Sequence, residues 1–344
     1  MADPRATAEP DVLAWDDGSR IDHAAAWPAL SAVWRSRIVG GLYGGLPEPP
    51  TTLTSTLRSV SHVARLPGVP ILEVFRIVCE GGDVRVPLVL HVLRPDVDHP
   101  VPVVLHGDGC WWPPAASTVQ AALAAGVAVA RFDRTDVADD PAAAPTAVAD
   151  RRSGPLYDAH PGARFGAIAA WAWAYHRCVD LIERHPALDT SRVAVTGFSR
   201  GAKTTLLAGA MDDRIALTHD HASGAGGGAL SRVVGAGGET LAEVVARFPA
   251  WFGPDAATIA HDPHAMPFDQ HVLLALIAPR RLLMTYAADD AWSNPDGARR
   301  AAEAARAVYR LHGDERGLEF RLRPGGHEYT AADWSALLGA FSGG

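Results

Sequence analysis

Lysine is almost missing from this chain of 344 residues: of its 31 basic residues, 30 are arginine and one is lysine, Lys203. With 39 acidic residues the net charge is −8. No stretch gathers the arginines on a face that would neutralise phosphates, so nucleic acid is excluded as a partner. Cysteine is as scarce. Cys79, Cys110 and Cys178 are odd in number and widely spaced, without a CxxC pair, which excludes a disulfide framework and a thiolate zinc site and leaves three small buried hydrophobes. Like-charge excess and long apolar runs are also lacking, so disorder and a membrane partner are excluded. The first ten residues show no basic region followed by an apolar run. The chain as given is therefore expected in the cytoplasm, and outside the cell if a leader was removed.

What remains is an ordinary globular composition, 48% hydrophobic with 33 glycines and 26 prolines. Residues 1–50 carry an amphipathic stretch around Trp27–Ile38 and a Gly/Pro-rich exit, and are expected to wrap a single domain formed by 51–344. From there the pattern is β-rich at Ile71–Cys79, Val84–Leu93 and Val101–Leu105, which predicts antiparallel strands opening a sheet. Helices and strands then alternate. Helices are expected at Ser117–Ala125, Phe165–Arg184, Ala202–Met211, Phe268–Ile277, Pro295–Leu311 and Ala331–Phe341, and strands at Val127–Phe132, Arg192–Thr196, Ile215–Thr218, Arg281–Tyr286 and Leu318–Arg323. Asp136–Pro161 and Gly224–Gly238 are expected to be loops. This rhythm predicts an α/β, doubly wound and mostly parallel sheet between two helical layers, with the site on the loops at the carboxyl ends of the strands.

The sharpest local signal is Gly197-Phe198-Ser199-Arg200-Gly201, where an apolar strand runs through Gly-x-Ser-x-Gly into a helix. Such a turn holds a serine hydroxyl exposed above the sheet, with small neighbours giving it room. The α/β-hydrolase order then asks for an acid and a histidine after later strands. His327, in Pro324-Gly-Gly-His327, follows the last strand. Asp290 follows the strand Arg281–Tyr286, with Asp289 as the alternate acid. His219-Asp-His221 and His261-Asp-Pro-His264 lack a matching ligand set, so no metal is expected. Gly224–Gly228 lacks a phosphate-loop ending and is expected to be close-packed. Trp171 and Trp173 belong to the core pattern, whereas Trp251 and Trp292 lie near loops, where either core or sugar stacking is open.

Taken together, these residues resemble the glucuronoyl esterases of carbohydrate esterase family 15, particularly the bacterial branch. The likeness covers roughly 162–334. It is carried by Gly166-Ala-Ile-Ala-Ala-Trp-Ala-Trp173, Gly197–Lys203, Ser223-Gly-Ala-Gly-Gly-Gly-Ala-Leu-Ser-Arg232, Gly238-Glu-Thr240, Phe248-Pro-Ala-Trp-Phe252, the run Phe268–Arg280, Asp289-Asp-Ala-Trp292 and Pro324-Gly-Gly-His327. The resemblance implies an α/β-hydrolase fold and hydrolysis of esters of glucuronic acid or its 4-O-methyl ether, as at lignin-to-glucuronoxylan linkages, without a cofactor. It further implies that Arg200 holds the oxyanion, and that Lys203, Glu239 and Trp292 contact the sugar. Three positions depart from the family pattern. Phe198 and Ala225 stand where cysteine is usual, and Ala222 stands where many members carry their acid, which leaves Asp290 as the well-placed carboxylate.

The sequence thus predicts a serine esterase: Ser199 attacks, His327 moves the proton and Asp290 orients the imidazole. The oxyanion would meet the Arg200 amide and guanidinium, with an amide of His106-Gly-Asp-Gly109 as a further donor. A broad carboxylesterase or acetyl esterase, and a non-catalytic carbohydrate-binding descendant, are the alternatives.

Overall fold

Strand β1 (Thr52–His62) begins a nine-stranded sheet that continues with β2 (Ile71–Gly81), β3 (Val84–Arg94), β4 (Val101–His106) and β5 (Ala128–Arg131). It is completed by β6 (Leu188–Phe198), β7 (Leu217–His221), β8 (Arg281–Ala287) and β9 (Leu318–Arg323). The computed structural model describes residues 9–81, 84–140 and 151–342. The expected loop residues 141–150 and the start of the chain, 1–8, lie outside the described residues. The strand order is β1-β2-β3-β5-β4-β6-β7-β8-β9. The first three strands and the β3–β5 pair are antiparallel, and β5, β4, β6, β7, β8 and β9 run parallel.

The parallel strands are apolar on both faces because helices cover both. Val103 and Leu105 of β4, Val193 and Val195 of β6, and Leu282 and Met284 of β8 enter the larger core, beside the helices Ala167–Ile182, Arg200–Met211 and Pro295–Leu311. The residues between them, Val104, Ala194 and Leu283, enter a second core with Ala122, Trp334 and Leu337 from the helices Ala116–Ala124 and Ala331–Ser342. This period of two is the physical content of the three-layer reading. The N-terminal helix Trp27–Tyr43 joins the larger core through Trp27, Leu30, Trp34, Ile38 and Leu42.

Several expectations need correction. β1 was not anticipated: its Thr- and Ser-rich sequence is exposed almost throughout, and backbone pairing to β2 holds it as an edge strand with a register shift at Leu57/Ser59. β6 starts at Leu188, and the following helix at Arg200 rather than Ala202. The helix Ala167–Ile182 is buried at every residue except Asp180, so its amphipathic pattern understates its burial. Short helices Pro155–Ala159, Leu241–Arg247 and Ala256–His261 occupy stretches without a clear period. Cys79 and Cys178 are buried, but Cys110 is exposed on the loop after β4.

The sheet positions the site at one place. From β4 the chain crosses to β5 on one side and then returns to β6 on the other. Loops after β4 and β6 therefore part and leave a crevice at the carboxyl ends, where open α/β sheets bind ligands.

Candidate active site

Ser199 sits at the junction of β6 and its helix with φ +56° and ψ −115°. A non-glycine residue at positive φ is held only where its surroundings over-determine it. Here they do so by close packing. A Cβ on Gly197 would lie 2.5 Å from the Gly201 backbone, and one on Gly201 would lie 2.1 Å from the Asp108 carboxylate. Asp108 in turn accepts the Phe198 amide at 2.9 Å, while the Ser199 amide donates to the His221 carbonyl at 3.0 Å. Ser199 makes no side-chain cap to its own helix. Ser199 lines a cavity of about 290 Å³ together with Arg200, Lys203, Glu239, Trp292 and His327.

His327 donates from Nδ1 to Asp290 Oδ2 at 2.7 Å. Burial pushes the Asp290 carboxyl up, but hydrogen bonds from His327 and Ser293 outweigh it and hold the group below its ordinary range. An ionised Asp290 fixes the proton on Nδ1, which leaves Nε2 as the ring's acceptor. The two acids therefore separate: Asp290 is buried against the imidazole, and Asp289 is exposed and accepts the Gly325 amide at 3.0 Å, tying down the histidine loop. From below, His221 Nε2 donates to the Glu328 carbonyl at 2.8 Å and Thr285 bonds His221 Nδ1 at 2.7 Å. His219 bonds Thr196 and Thr285. His221 is thus spent on the support of that loop and His219 on hydrogen bonds between strands, and burial lowers the basicity of each.

Arg200 is held by a relay that no local pattern announces. Its Nη1 donates to Asp140 Oδ2 at 3.0 Å. The guanidinium lies 4.1 Å from the Trp111 ring centroid and 5.1 Å from that of Trp251. Asp140 also accepts from Arg134 at 3.1 Å, and Trp251 Nε1 donates to it at 3.3 Å. Arg134, fully buried, bonds Asp108 with its other arm. Burial pushes Asp140 up, yet Arg134 and Arg200 beside it hold its carboxyl below the usual value. One arginine thus links the carboxylate that anchors the serine turn to the carboxylate that aims Arg200.

The expected amide donor from the loop after β4 is not there at its glycines. Gly107 donates to Tyr175 Oη at 2.7 Å and Gly109 to the Phe132 carbonyl at 3.2 Å. The Arg200 amide, first in its helix, lies among those that have no carbonyl to bond within it. Lys203 is only 4% exposed. Its ammonium bonds the carbonyls of Ser223 and of Ala225, the latter at 2.6 Å, so two of three donors are spent before a ligand arrives. Burial pushes its pKa down to about 8, opposed by Glu239 and Asp220. The glycine run is close-packed as expected, since a Cβ on Gly227 would meet Ser223 and Lys203. Trp171 and Trp173 are core. Trp251 is buried yet lines the cavity, and Trp292 lines it while 52% exposed. Phe198 fills the place of the usual cysteine, with its ring 4.6 Å from that of His327.

Comparison with known proteins places this geometry in context. The family described as glucuronyl esterase, fungi, matches residues 78–313. A carbohydrate esterase of an unknown prokaryotic organism is 40% identical over 191 residues, 51% of this chain and 44% of that protein. The 4-O-methyl-glucuronoyl methylesterase 1 of Phanerochaete chrysosporium is 28% identical over 335 residues, 94% of this chain and 66% of that protein. This chain thus spans between 44% and 66% of the length of these two curated relatives. Among solved structures, a promiscuous CE15 esterase from the marine bacterial metagenome superposes with a TM-score of 0.82 at 27% identity, covering 97% of this chain and 96% of that one.

Proposed function

Because the chain belongs to the glucuronyl esterase family, we propose that it is a serine esterase that hydrolyses esters of glucuronic acid or its 4-O-methyl ether. The observation that carries this is the His327–Asp290 hydrogen bond beside a cavity that Ser199 shares with Lys203, Glu239 and Trp292. Ser199 Oγ attacks the ester carbonyl while His327 Nε2 takes its proton, and Asp290 stabilises the imidazolium. The oxyanion is met by the Arg200 amide and guanidinium, each donor contributing on the order of 3 kcal/mol to the transition state. Collapse expels the alcohol, which leaves with the proton from His327. Water, deprotonated by the same imidazole, then attacks the acyl carbon, and the uronate is released as His327 returns that proton to Ser199 Oγ. Every proton has a station, so the scheme needs neither a metal nor an organic cofactor.

On the sugar side, the third Lys203 donor and the half-buried Glu239 are offered to ring hydroxyls, and the exposed Trp292 indole to a sugar face. The partner is therefore a uronate ester, as a small molecule or on an oligosaccharide. Benzyl glucuronate and an aryl acetate, compared by kcat/KM, test this reading: preference for the uronate supports it, and much faster turnover of the acetate overturns it in favour of a broad carboxylesterase. That second reading draws on the structural relative named as promiscuous. A serine phosphonate that fails to label Ser199 would instead leave a carbohydrate-binding descendant.

A further inference from the structure

Three cations line the catalytic cavity, and two are matched. Arg200 is paired with Asp140, and Lys203 is bonded to two carbonyls and lies in the field of Glu239 and Asp220. The third, Arg247, is exposed, and among the described residues no carboxylate lies within ion-pair distance of it. Its guanidinium stands 5.1 Å from the Phe248 ring centroid and 5.7 Å from that of Trp292. Half of Trp292 remains open to solvent although the cation lies over its ring. Arg247 closes a short helix, Leu241–Arg247, whose start is fixed by reciprocal hydrogen bonds between Thr240 and Glu243 at 2.8 and 3.1 Å. Glu239 immediately precedes that cap. A basic residue suits the negative end of a helix, but that accounts for its charge and not for its place on the cavity wall beside an open indole.

Resting on the uronate-ester reading above, we infer that Arg247 selects esters whose sugar chain carries a second, free carboxylate next to the residue being cleaved. The scissile carboxyl is esterified and uncharged, so it gives an unpaired guanidinium on the sugar side nothing ionic to bind. A neighbouring uronate does, and the planar fork of arginine matches a carboxylate with two parallel donors. The chain as a whole carries −8 and repels polyanions, so an acidic sugar needs a local cation at the mouth of the cavity. The substrate class is an oligouronide with one ester and at least one free acid.

The test compares two esters on the intact protein: methyl glucuronate, which has no free carboxylate, and the monomethyl ester of a diuronate esterified on the residue to be cleaved. The wild type is expected to favour the diuronate in kcat/KM at low salt, and 0.5 M NaCl to shrink that preference. Arg247→Gln should lower the diuronate-to-monomer ratio about three- to fivefold, with Arg247→Lys in between. Equal kcat/KM for the two esters in the wild type, or a ratio that Arg247→Gln leaves untouched, overturns this inference alone. If neither ester is cleaved, the uronate-ester reading falls and takes the inference with it.

Discussion

In and beneath the floor of the cavity charged groups are matched: Arg134 with Asp108 and Asp140, Arg200 with Asp140, Asp290 with His327. Lys203 is likewise seated on carbonyls. At the rim, Trp111 and Trp112 are each 42% exposed, Trp292 is 52% exposed and Arg247 faces solvent. The contrast separates two kinds of control. A buried ion network in low dielectric is costly to disturb, because removing one member leaves its partner charged and dry. Exposed indoles and a solvated guanidinium interact with less energy and change with less penalty. On the proposed function, chemistry would be held by the floor, while preference among esters would be set by side chains that are open to change.

The largest test of this contrast separates the two adjacent acids. Asp290→Asn is expected to lower kcat roughly 10⁴-fold by imposing the wrong imidazole tautomer. Asp289→Asn touches only the Gly325 amide and should cost no more than a few-fold, as stopped assays on one uronate ester would read directly. If the two variants fall equally, the division of labour between them is wrong.

Next comes the relay. Arg134→Gln takes from Asp108 its arginine partner and from Asp140 one of its two, and should cost about 3–5 kcal/mol of stability by denaturant unfolding. Below its melting temperature the same variant should lose about tenfold or more in kcat with KM nearly unchanged, because Arg200 is no longer aimed. A kcat equal to wild type in the folded variant would reduce Arg134 to scaffolding.

The smallest effect lies where floor and rim meet. Lys203 carries its proton below a pKa of about 8 and loses it above. KM for a uronate ester should therefore be low near pH 6 and rise about two- to threefold as pH passes through 8, while an aryl acetate shows no such step. Parallel pH profiles for the two substrates decide it, and identical profiles would remove Lys203 from sugar recognition.

Much of the candidate site's floor was legible in single stretches of chain. The strand, the Gly-Phe-Ser-Arg-Gly turn and the helix after it are contiguous, and His327 follows two glycines at the end of the last strand. The buried strands announced themselves by apolar runs, whereas β1, wet on nearly every residue, had no such signal. The relay was invisible for another reason. Arg200 and Asp140 are 60 positions apart, and Asp108 and Phe198 are 90 apart, so no spacing rule connects them. An aspartate after β4 and an Arg-Thr-Asp turn after β5 were the available signs, since both follow strands whose carboxyl ends face the site. The glycine amides of the β4 loop misled because a free N–H in sequence carries no record of Tyr175 or Phe132, which claim them.

The amino-acid sequence by itself determined which groups are candidates for the chemistry, since a Gly-x-Ser-x-Gly turn, a late histidine and a carboxylate at a strand end are each written in adjacent residues obeying local backbone rules. Tertiary structure alone decided which aspartate meets the imidazole, what aims Arg200, how many Lys203 donors are left, and that Arg247 stands unmatched beside Trp292. Those are matters of burial and pairing between distant segments, and the free energy of a charge depends on its neighbours in space and not on its neighbours in the chain.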